Sequence, residues 1–355
     1  MATINVTSNT DLAGIYLCYP NSVSNEEPGF RGYTHILEHL MLNGTKHKTD
    51  WDRLGLLVNG ETWSSGMSLY LTGLSESLDK TYEEFYNLVN EVEITPSLVK
   101  KEVEIIKNEY LESTNSVDSA SFYNLMNYYK LPNAIGDIND LNSVTYEKVM
   151  EFKSKYLSSP GNIVFIHPHS TMSLSISTTP LVRNYKYVPC NNISVPRHSG
   201  YKYLTIGFQV TPDNVIYLKI FQIIMTSNFS SVLMDEFRTK RSLVYSTPAD
   251  MALTDSSSGI LVFMLQLTDA NYAEGKKLLS DILKNIKSYI TKESFEYFID
   301  VISSGIKISN VTNYLNYQKY YCPQEYLLDN YLDKITYSEF INKINGLTYQ
   351  LFVEN

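Results

Sequence analysis

Cysteine is scarce in this chain of 355 residues, which contains only three. Cys18, Cys190 and Cys322 are far apart, and their number is odd. Disulfide frameworks and zinc sites built from Cys-x-x-Cys pairs both need several cysteines at short spacings. The sequence therefore indicates neither, and we expect the three thiols to be packing residues.

The sequence also lacks a hydrophobic run of membrane-spanning length and a surplus of positive charge. Its net charge is −9 at pH 7, so it offers no basic stripe that could neutralise nucleic-acid phosphates. Residues 1–7 have neither the build of a secretory signal nor the Arg-rich character of a transit peptide. We therefore expect a cytoplasmic globular protein that binds neither membranes nor nucleic acid.

Two histidines and a glutamate within five residues form the most informative motif of the chain. In a helix, positions i, i+3 and i+4 share one face, so His35, Glu38 and His39 would point the same way. Zinc binds imidazole nitrogens, and a catalytic zinc site leaves one position for water, whose proton a carboxylate can take. The motif predicts two zinc ligands and a general base, Glu38. The competing interpretation is a buried helix whose histidines are satisfied by core hydrogen bonds.

A second helical segment carries carboxylates that could complete the metal site. Glu102 and Glu109 are seven residues apart, which is two helical turns, so both lie along one stripe. Thr95 is a suitable cap and Pro96 suits the first helical position, so the segment has a start signal. One carboxylate could bind the metal while the other supports it. The alternative is a solvated acidic helix face.

These motifs resemble those of the M16 zinc peptidases, the inverted-motif family that includes pitrilysin, insulinase and the mitochondrial processing peptidase. Residues 27–45, EPGFRGYTHILEHLMLNGT, are similar to the loop, metal helix and terminating Gly-Thr of that family. The resemblance runs nearly end to end. The spacing from His39 to Glu109 is shorter than the family usually shows, which implies a trimmed surface connection and an intact site.

The resemblance assigns a role to each residue of the two motifs. It implies that His35, His39 and Glu109 hold one Zn²⁺ per chain, and that Glu38 activates water. It also implies that Glu102, which matches the family's supporting glutamate, supports the metal ligands without binding the metal itself.

A downstream segment supports the same resemblance. Residues 233–246, LMDEFRTKRSLVYS, look like the family's substrate-side segment, whose Arg and Tyr fall on Arg238 and Tyr245. The resemblance implies that this pair faces the metal, contacts the peptide near the scissile carbonyl and takes part in catalysis. Both side chains are hydrogen-bond donors that could stabilise an oxyanion. The alternative is an Arg at a helix end and a Tyr packed on a strand.

Residues 59–66 depart from the family pattern. Relatives usually carry Asn-Ala on the edge strand that pairs with the substrate backbone, and Glu61 and Thr62 occupy those places here. We expect Glu61, Thr62 and Trp63 to bind substrate, because strand pairing uses main-chain groups and survives a change of side chain. The departure therefore affects selectivity more than chemistry.

A repeated pattern indicates an internal duplication. Thr145 and Thr336 are each a plausible helix cap followed by a helical pattern and a strand, and 336 minus 145 gives an offset of 191 residues. We predict a catalytic domain at 1–178, a linker at 179–198 and a homologous second domain at 199–355.

Each domain mixes short strands with longer helical periods. We expect an α+β fold in which helices cover a mainly antiparallel sheet, as in the family's repeated domain. The predicted strands are 14–19, 67–72, 162–166, 203–208, 260–265 and 347–353, and the predicted helices include 78–92, 96–112, 215–227, 231–240, 272–289 and 294–308.

The motifs together predict a zinc-dependent endopeptidase of peptides or unfolded polypeptide segments, in which Glu38 assists the attack of a zinc-bound water. The alternative is a non-catalytic peptide-binding or structural subunit, whose usual signature is a broken metal motif. Family members usually enclose substrate between four such domains, so two domains imply a second chain. The resemblance suggests a homodimer, or a heterodimer with a metal-free relative.

Overall fold

The computed structural model describes residues 2–8, 10–19, 22–64, 66–158, 160–172, 193–195, 200–253, 258–312 and 332–353. Cys190, Cys322 and all of the predicted linker except residues 193–195 lie outside this range. The described chain forms two compact units. The first contains residues 2–112, 130–172 and 309–312, and the second contains residues 113–129, 193–308 and 332–353 where they are described.

The first unit contains a mixed five-stranded sheet in the order β1-β5-β2-β4-β3. The parallel pair is β1 with β5, and the other neighbours are antiparallel. One face carries the main core, to which β2 contributes Ala13, Ile15, Leu17 and Tyr19. Alternate residues of the same strand point to the opposite face, where Tyr16 packs in a smaller cluster. The strands are β1 (Ala2–Thr7), β2 (Leu12–Tyr19), β3 (Leu57–Thr62), β4 (Met67–Leu74) and β5 (Asn162–His167).

Helices connect these strands, and the N-terminal helix of the unit lies beside β3 and β4. The helices are α1 (Tyr33–Asn43), α2 (Lys48–Arg53), α3 (Ser75–Leu78), α4 (Tyr82–Glu91), α5 (Pro96–Asn115), α6 (Val117–Tyr128), α7 (Ile138–Asn142) and α8 (Tyr146–Tyr156). Of these, α6 and the end of α5 belong to the second unit. There the Tyr129 hydroxyl, just after α6, donates to the Gly207 carbonyl at 3.0 Å.

The second unit contains a four-stranded antiparallel sheet in the order β7-β8-β6-β9. Its core joins the sheet to helices through buried residues such as Phe208, Phe221, Phe237 and Phe263. Its elements are β6 (Tyr201–Val210), α9 (Val215–Thr226), a π-helix (Met234–Thr239), β7 (Ala249–Leu253), β8 (Gly259–Thr268), α10 (Tyr272–Lys284), α11 (Ile286–Tyr289), α12 (Lys292–Thr312), α13 (Tyr337–Asn345) and β9 (Tyr349–Val353).

The two sheets share one topology, which confirms the α+β class with two similar domains. The order β5-β2-β4-β3 in the first sheet corresponds to β9-β6-β8-β7 in the second, with β1 as an additional strand. The repeated caps are also present, since Thr145 accepts a hydrogen bond from the Lys148 amide and Thr336 accepts one from the Glu339 amide. Within the described residues, no helix is long and apolar enough to cross a membrane.

Three predicted helices are wrong in detail. The helix predicted at 78–92 is two helices, because the chain turns at residues 79–81, where the Thr81 hydroxyl bonds back to the Leu78 carbonyl. The helix predicted at 272–289 breaks at Asn285, whose amide side chain bonds to Asp281. The segment predicted at 231–240 winds mostly as the π-helix, with a hydrogen bond from the Lys240 amide to the Asp235 carbonyl.

Candidate metal centre

The start of α1 is fixed by acidic side chains that bind the backbone before it. Gly32 precedes the helix with φ of +91°, a conformation that glycine adopts without strain. The buried Glu26 carboxyl group accepts hydrogen bonds from the Gly32 amide at 2.8 Å and the Thr34 amide at 2.7 Å. Asp140 accepts two more from the amides of Gly29 and Arg31. These contacts set where the helix begins, and therefore where its side chains point.

One face of α1 is buried in the core, and the face that carries the two histidines is partly exposed. Ile36, Leu37, Leu40 and Met41 are fully buried in the main core, as their spacing requires. His35 and His39 are only partly buried, and they lie edge to face with ring centres 4.9 Å apart. The helix thus has the amphipathic arrangement that the motif predicts, with both imidazoles on the side away from the core.

Helix α5 brings a carboxylate to both imidazoles. Glu109 Oε2 lies 3.5 Å from His35 Nε2 and 3.7 Å from His39 Nε2. One ligand atom from each of His35, His39 and Glu109 lies within 4.8 Å of the other two. Two imidazole nitrogens and one carboxylate oxygen are a donor set that suits a catalytic zinc ion. Among the described residues this is the only such cluster of His, Cys, Asp and Glu side chains.

Glu102 lies behind the cluster and contacts one of the imidazoles. Its side chain is fully buried, and its Oε2 lies 3.2 Å from Nδ1 of His39. A proton on Nδ1 would be donated to this carboxylate, which leaves the lone pair of Nε2 directed to the cluster. Lys101 Nζ lies 3.6 Å from the other oxygen of Glu102. The arrangement is the one expected for a carboxylate that orients a metal-binding histidine.

The protonation state of His35 also favours metal binding. Burial, with a smaller effect from His39, lowers the pKa of the His35 imidazole from 6.5 to about 4. The ring is therefore neutral near pH 7, and a neutral ring has the lone pair that a metal requires.

The side chain of Glu38, on α1, is directed to β3. Its side chain is 7% exposed, and its Oε2 accepts a hydrogen bond from the Thr62 hydroxyl at 2.5 Å. Burial raises the pKa of the Glu38 carboxyl, while the Thr62 hydrogen bond and His39 lower it. Gly60, two residues before Thr62, is close enough that a methyl group on its Cα would lie 2.7 Å from Glu38 Cγ. The strand therefore contacts the carboxylate directly.

The predicted substrate strand is the outermost strand of the first sheet. Among the described residues, β3 pairs with β4 along one edge and with no strand along the other edge. Thr62 points to Glu38, whereas Glu61 points to the opposite face, where Ser68 Oγ donates to it at 3.4 Å. Trp63 is partly buried against the main core. The substrate-binding roles of these three residues stay predictions.

In the second unit, the Arg and Tyr of the downstream motif lie side by side. The Arg238 guanidinium lies 4.8 Å from the centre of the Tyr245 ring and 5.2 Å from that of Phe229. Arg238 is on the π-helix, and both rings are strongly exposed, Tyr245 at 82% and Phe229 at 68%. The alternative of a Tyr packed on a strand does not describe this residue. Whether the pair faces the metal ligands stays a prediction.

Sequence reasoning did not identify Glu26 and Gly60. A glycine inside a strand pattern indicates a close approach of another group, and that signal was present at Gly60. An acid shortly before a Gly-containing turn and a helix is a weak capping signal, which could have indicated Glu26. Neither signal indicates which residue Gly60 or Glu26 contacts.

Sequence comparison matches both halves of the chain to the same family. The model described as "Insulinase (Peptidase family M16)" matches residues 7–132, and the model described as "Peptidase M16 inactive domain" matches residues 190–301. A Rickettsia felis protein named "Uncharacterized zinc protease" is 25% identical over 288 residues, which cover 74% of this chain and 68% of that protein.

Solved structures with low sequence identity share the fold. A protease from Helicobacter pylori aligns with a TM-score of 0.77 and 16% identity, over 99% of this chain and 96% of that one. A peptidase M16 inactive domain from Pseudomonas fluorescens aligns with a TM-score of 0.76 and 14% identity, over 99% and 94%. Because the two M16 models together match more than half of the chain, the chain belongs to the M16 peptidase family.

Proposed function

We propose that this protein is a zinc-dependent endopeptidase that hydrolyses peptides or unfolded polypeptide segments. The observation that carries the proposal is the grouping of His35, His39 and Glu109 within 4.8 Å, with Glu38 on the same helix as the two histidines. Core hydrogen bonds do not account for this grouping, because Glu109 Oε2 lies 3.5 Å from His35 Nε2 and 3.7 Å from His39 Nε2, which is longer than a normal hydrogen bond. The M16 membership and the name of the Rickettsia felis relative support the same reaction class.

Each residue of the centre has a distinct chemical task in this proposal. His35, His39 and Glu109 hold the ion, and Glu102 orients His39 through Nδ1. Zn²⁺ bound there would act as a Lewis acid and make water a stronger acid. Glu38 would take a proton from the water while the water oxygen attacks the peptide carbonyl carbon. It would return that proton to the amine nitrogen as the C–N bond breaks.

The substrate would be held in extended form. An extended peptide adds to a free strand edge through main-chain hydrogen bonds, and β3 ends beside Glu38. Arg238 and Tyr245 would donate hydrogen bonds to the carbonyl oxygen on which negative charge develops. Both side chains are accessible to a ligand.

A peptide-hydrolysis assay tests the proposal. We expect zinc-loaded protein to cleave internal bonds of an unfolded polypeptide such as reduced, denatured casein, with products identified by mass spectrometry. Glu38→Gln should lose at least about 100-fold in kcat, the usual contribution of a general base, while it keeps its zinc. Glu104→Gln is the matched control, because Glu104 is an exposed carboxylate on α5 that pairs with Lys107. Equal activity in Glu38→Gln and wild type would contradict the proposal.

A non-catalytic peptide-binding subunit is the second candidate, and the match of residues 190–301 to the inactive-domain model favours it. The second unit is consistent with that description, because α9, the helix that follows β6 as α1 follows β2, contains no His, Asp or Glu. Under this alternative, zinc-loaded wild type would bind unfolded polypeptide without cleaving it.

We also propose that two chains assemble, as a homodimer, so that the zinc unit of one chain acts with the Arg238 and Tyr245 of its partner. The basis is that each of the two regions matched by M16 models carries one of the two motifs. Mixing Glu38→Gln with Arg238→Ala/Tyr245→Ala should restore part of the activity if sites are shared. No recovery, with dimers verified by light scattering, would contradict shared sites. A heterodimer with a metal-free relative and a cytoplasmic location also stay proposals.

A further inference from the structure

The side chain of Glu38 is contacted by two residues of β3 that lie on one face of the strand. Gly60 and Thr62 are two positions apart, so both point to α1. The Thr62 hydroxyl donates to Glu38 Oε2 at 2.5 Å. A Cβ on Gly60 would lie 2.8 Å from Glu38 Oε1 and 2.7 Å from Glu38 Cγ. One oxygen is thus held by a hydrogen bond and the other lies against bare backbone.

These contacts matter because a glutamate has several rotatable bonds and is mobile unless its carboxylate is held. A buried carboxylate without a donor would also be costly, and Glu38 is 7% exposed. Among the described residues, Thr62 is the side chain that donates a hydrogen bond to it. The contact joins residues 24 apart in the chain, so it depends on the packing of α1 against β3.

We propose that Thr62 is the positioning residue of the general base and that Gly60 provides the space for it, so that β3 is a clamp for Glu38. This inference rests on the proposed function for the role of Glu38 and goes beyond it by assigning two residues of the strand to the base. It reassigns the Thr62 side chain from substrate recognition to positioning.

The clamp has a consequence for substrate binding. If a peptide pairs with the edge of β3 that faces no described strand, the same strand fixes both the position of the peptide and the position of the base. Geometry of this kind affects turnover strongly, since a misplacement of about 1 Å can lower the rate about 100-fold. Glu61 does not share this task, because its side chain lies on the opposite face of the strand.

The first test is a double-mutant cycle on thermal unfolding of the full chain, with and without added zinc. Thr62→Val removes the hydroxyl and keeps the shape, and Glu38→Met removes the carboxylate. We expect Thr62→Val to lower Tm by about 2–4 °C in the wild-type background, the shift expected for losing one hydrogen bond to a buried carboxylate in a chain of this size. We expect almost no shift in the Glu38→Met background. Equal shifts in the two backgrounds would overturn the proposed contact.

The second test separates positioning from substrate recognition. Thr62→Val should lower kcat about 10–100-fold with little change in KM and with unchanged zinc content, and Thr62→Ser should retain most activity because it keeps the hydroxyl. Gly60→Ala should also lower kcat, since its methyl group would displace Glu38. A raised KM with unchanged kcat in Thr62→Val would overturn the assignment. If the wild type has no peptidase activity, the proposed function fails, and the thermal cycle still decides whether the clamp exists.

Discussion

Replacing Glu102 should weaken zinc binding without removing any atom of the ligand set. The Glu102 carboxylate is fully buried, and its Oε2 lies 3.2 Å from His39 Nδ1. Loss of a carboxylate that orients a metal-binding histidine typically weakens metal affinity 10–100-fold, which corresponds to about 1.4–2.8 kcal/mol. Glu102→Gln keeps a side-chain oxygen that can accept from Nδ1–H, so we expect it near the lower limit. Glu102→Leu keeps no acceptor, so we expect it near the upper limit.

The assay is a competitive titration with a chromophoric zinc chelator, which gives the zinc Kd of each variant. Glu104→Gln serves as control, because Glu104 lies on the same helix, is exposed and pairs with Lys107. We expect its Kd to equal that of the wild type. If Glu102→Leu also binds zinc with the wild-type Kd, then Glu102 does not orient His39 and the reasoning is refuted.

Three further predictions concern stability and the downstream motif. Burial raises the pKa of the Glu26 carboxyl from 4.5 to about 8, so between these pH values the folded protein holds a proton that the unfolded chain releases. The free energy of unfolding should therefore fall as pH rises from 4.5 to 8. Urea titrations of Glu26→Gln should show a smaller fall over the same pH range. Thr145→Ala and Thr336→Ala should each cost about 1 kcal/mol of unfolding free energy, because each removes a helix cap, and Thr→Ser at either site should cost much less. Tyr245→Phe should lower kcat without altering folding monitored by circular dichroism, since the hydroxyl belongs to a side chain that is 82% exposed, and unchanged kcat would contradict its proposed role.

The metal helices could be predicted because their signal is local. The spacing of His35, Glu38 and His39 places them on one face of a single helix, and Glu102 and Glu109 are related in the same way. Apolar residues at helical period then determine which face is buried. The structure brings His35, His39 and Glu109 together.

Contacts between distant segments could not be predicted from the sequence. The hydrogen bond from Thr62 to Glu38 and the approach of Gly60 exist only because α1 packs on β3. The substrate contact predicted for Thr62 stays a prediction, and strand alternation alone does not say which residue the inner face of the strand contacts. Likewise, the helix that ends at Tyr128 belongs to the second unit, and no local pattern indicates that packing.

The sequence did not predict the π-helix or the breaks in two helices, for a related reason. A π-helix has nearly the same apolar spacing as an α-helix over a few residues, so the segment around Arg238 reads as an ordinary helix. At Asn285 a side-chain hydrogen bond competes with the helix, and such competition depends on small energy differences that a periodic pattern does not contain.

Elemental analysis of zinc in the purified protein tests the central claim most directly. The account predicts close to one Zn²⁺ per chain in the wild type and almost none in His35→Ala/His39→Ala, with both proteins folded by circular dichroism. A wild-type protein that holds no zinc even after incubation with the ion, or a double variant that keeps its zinc, would contradict it.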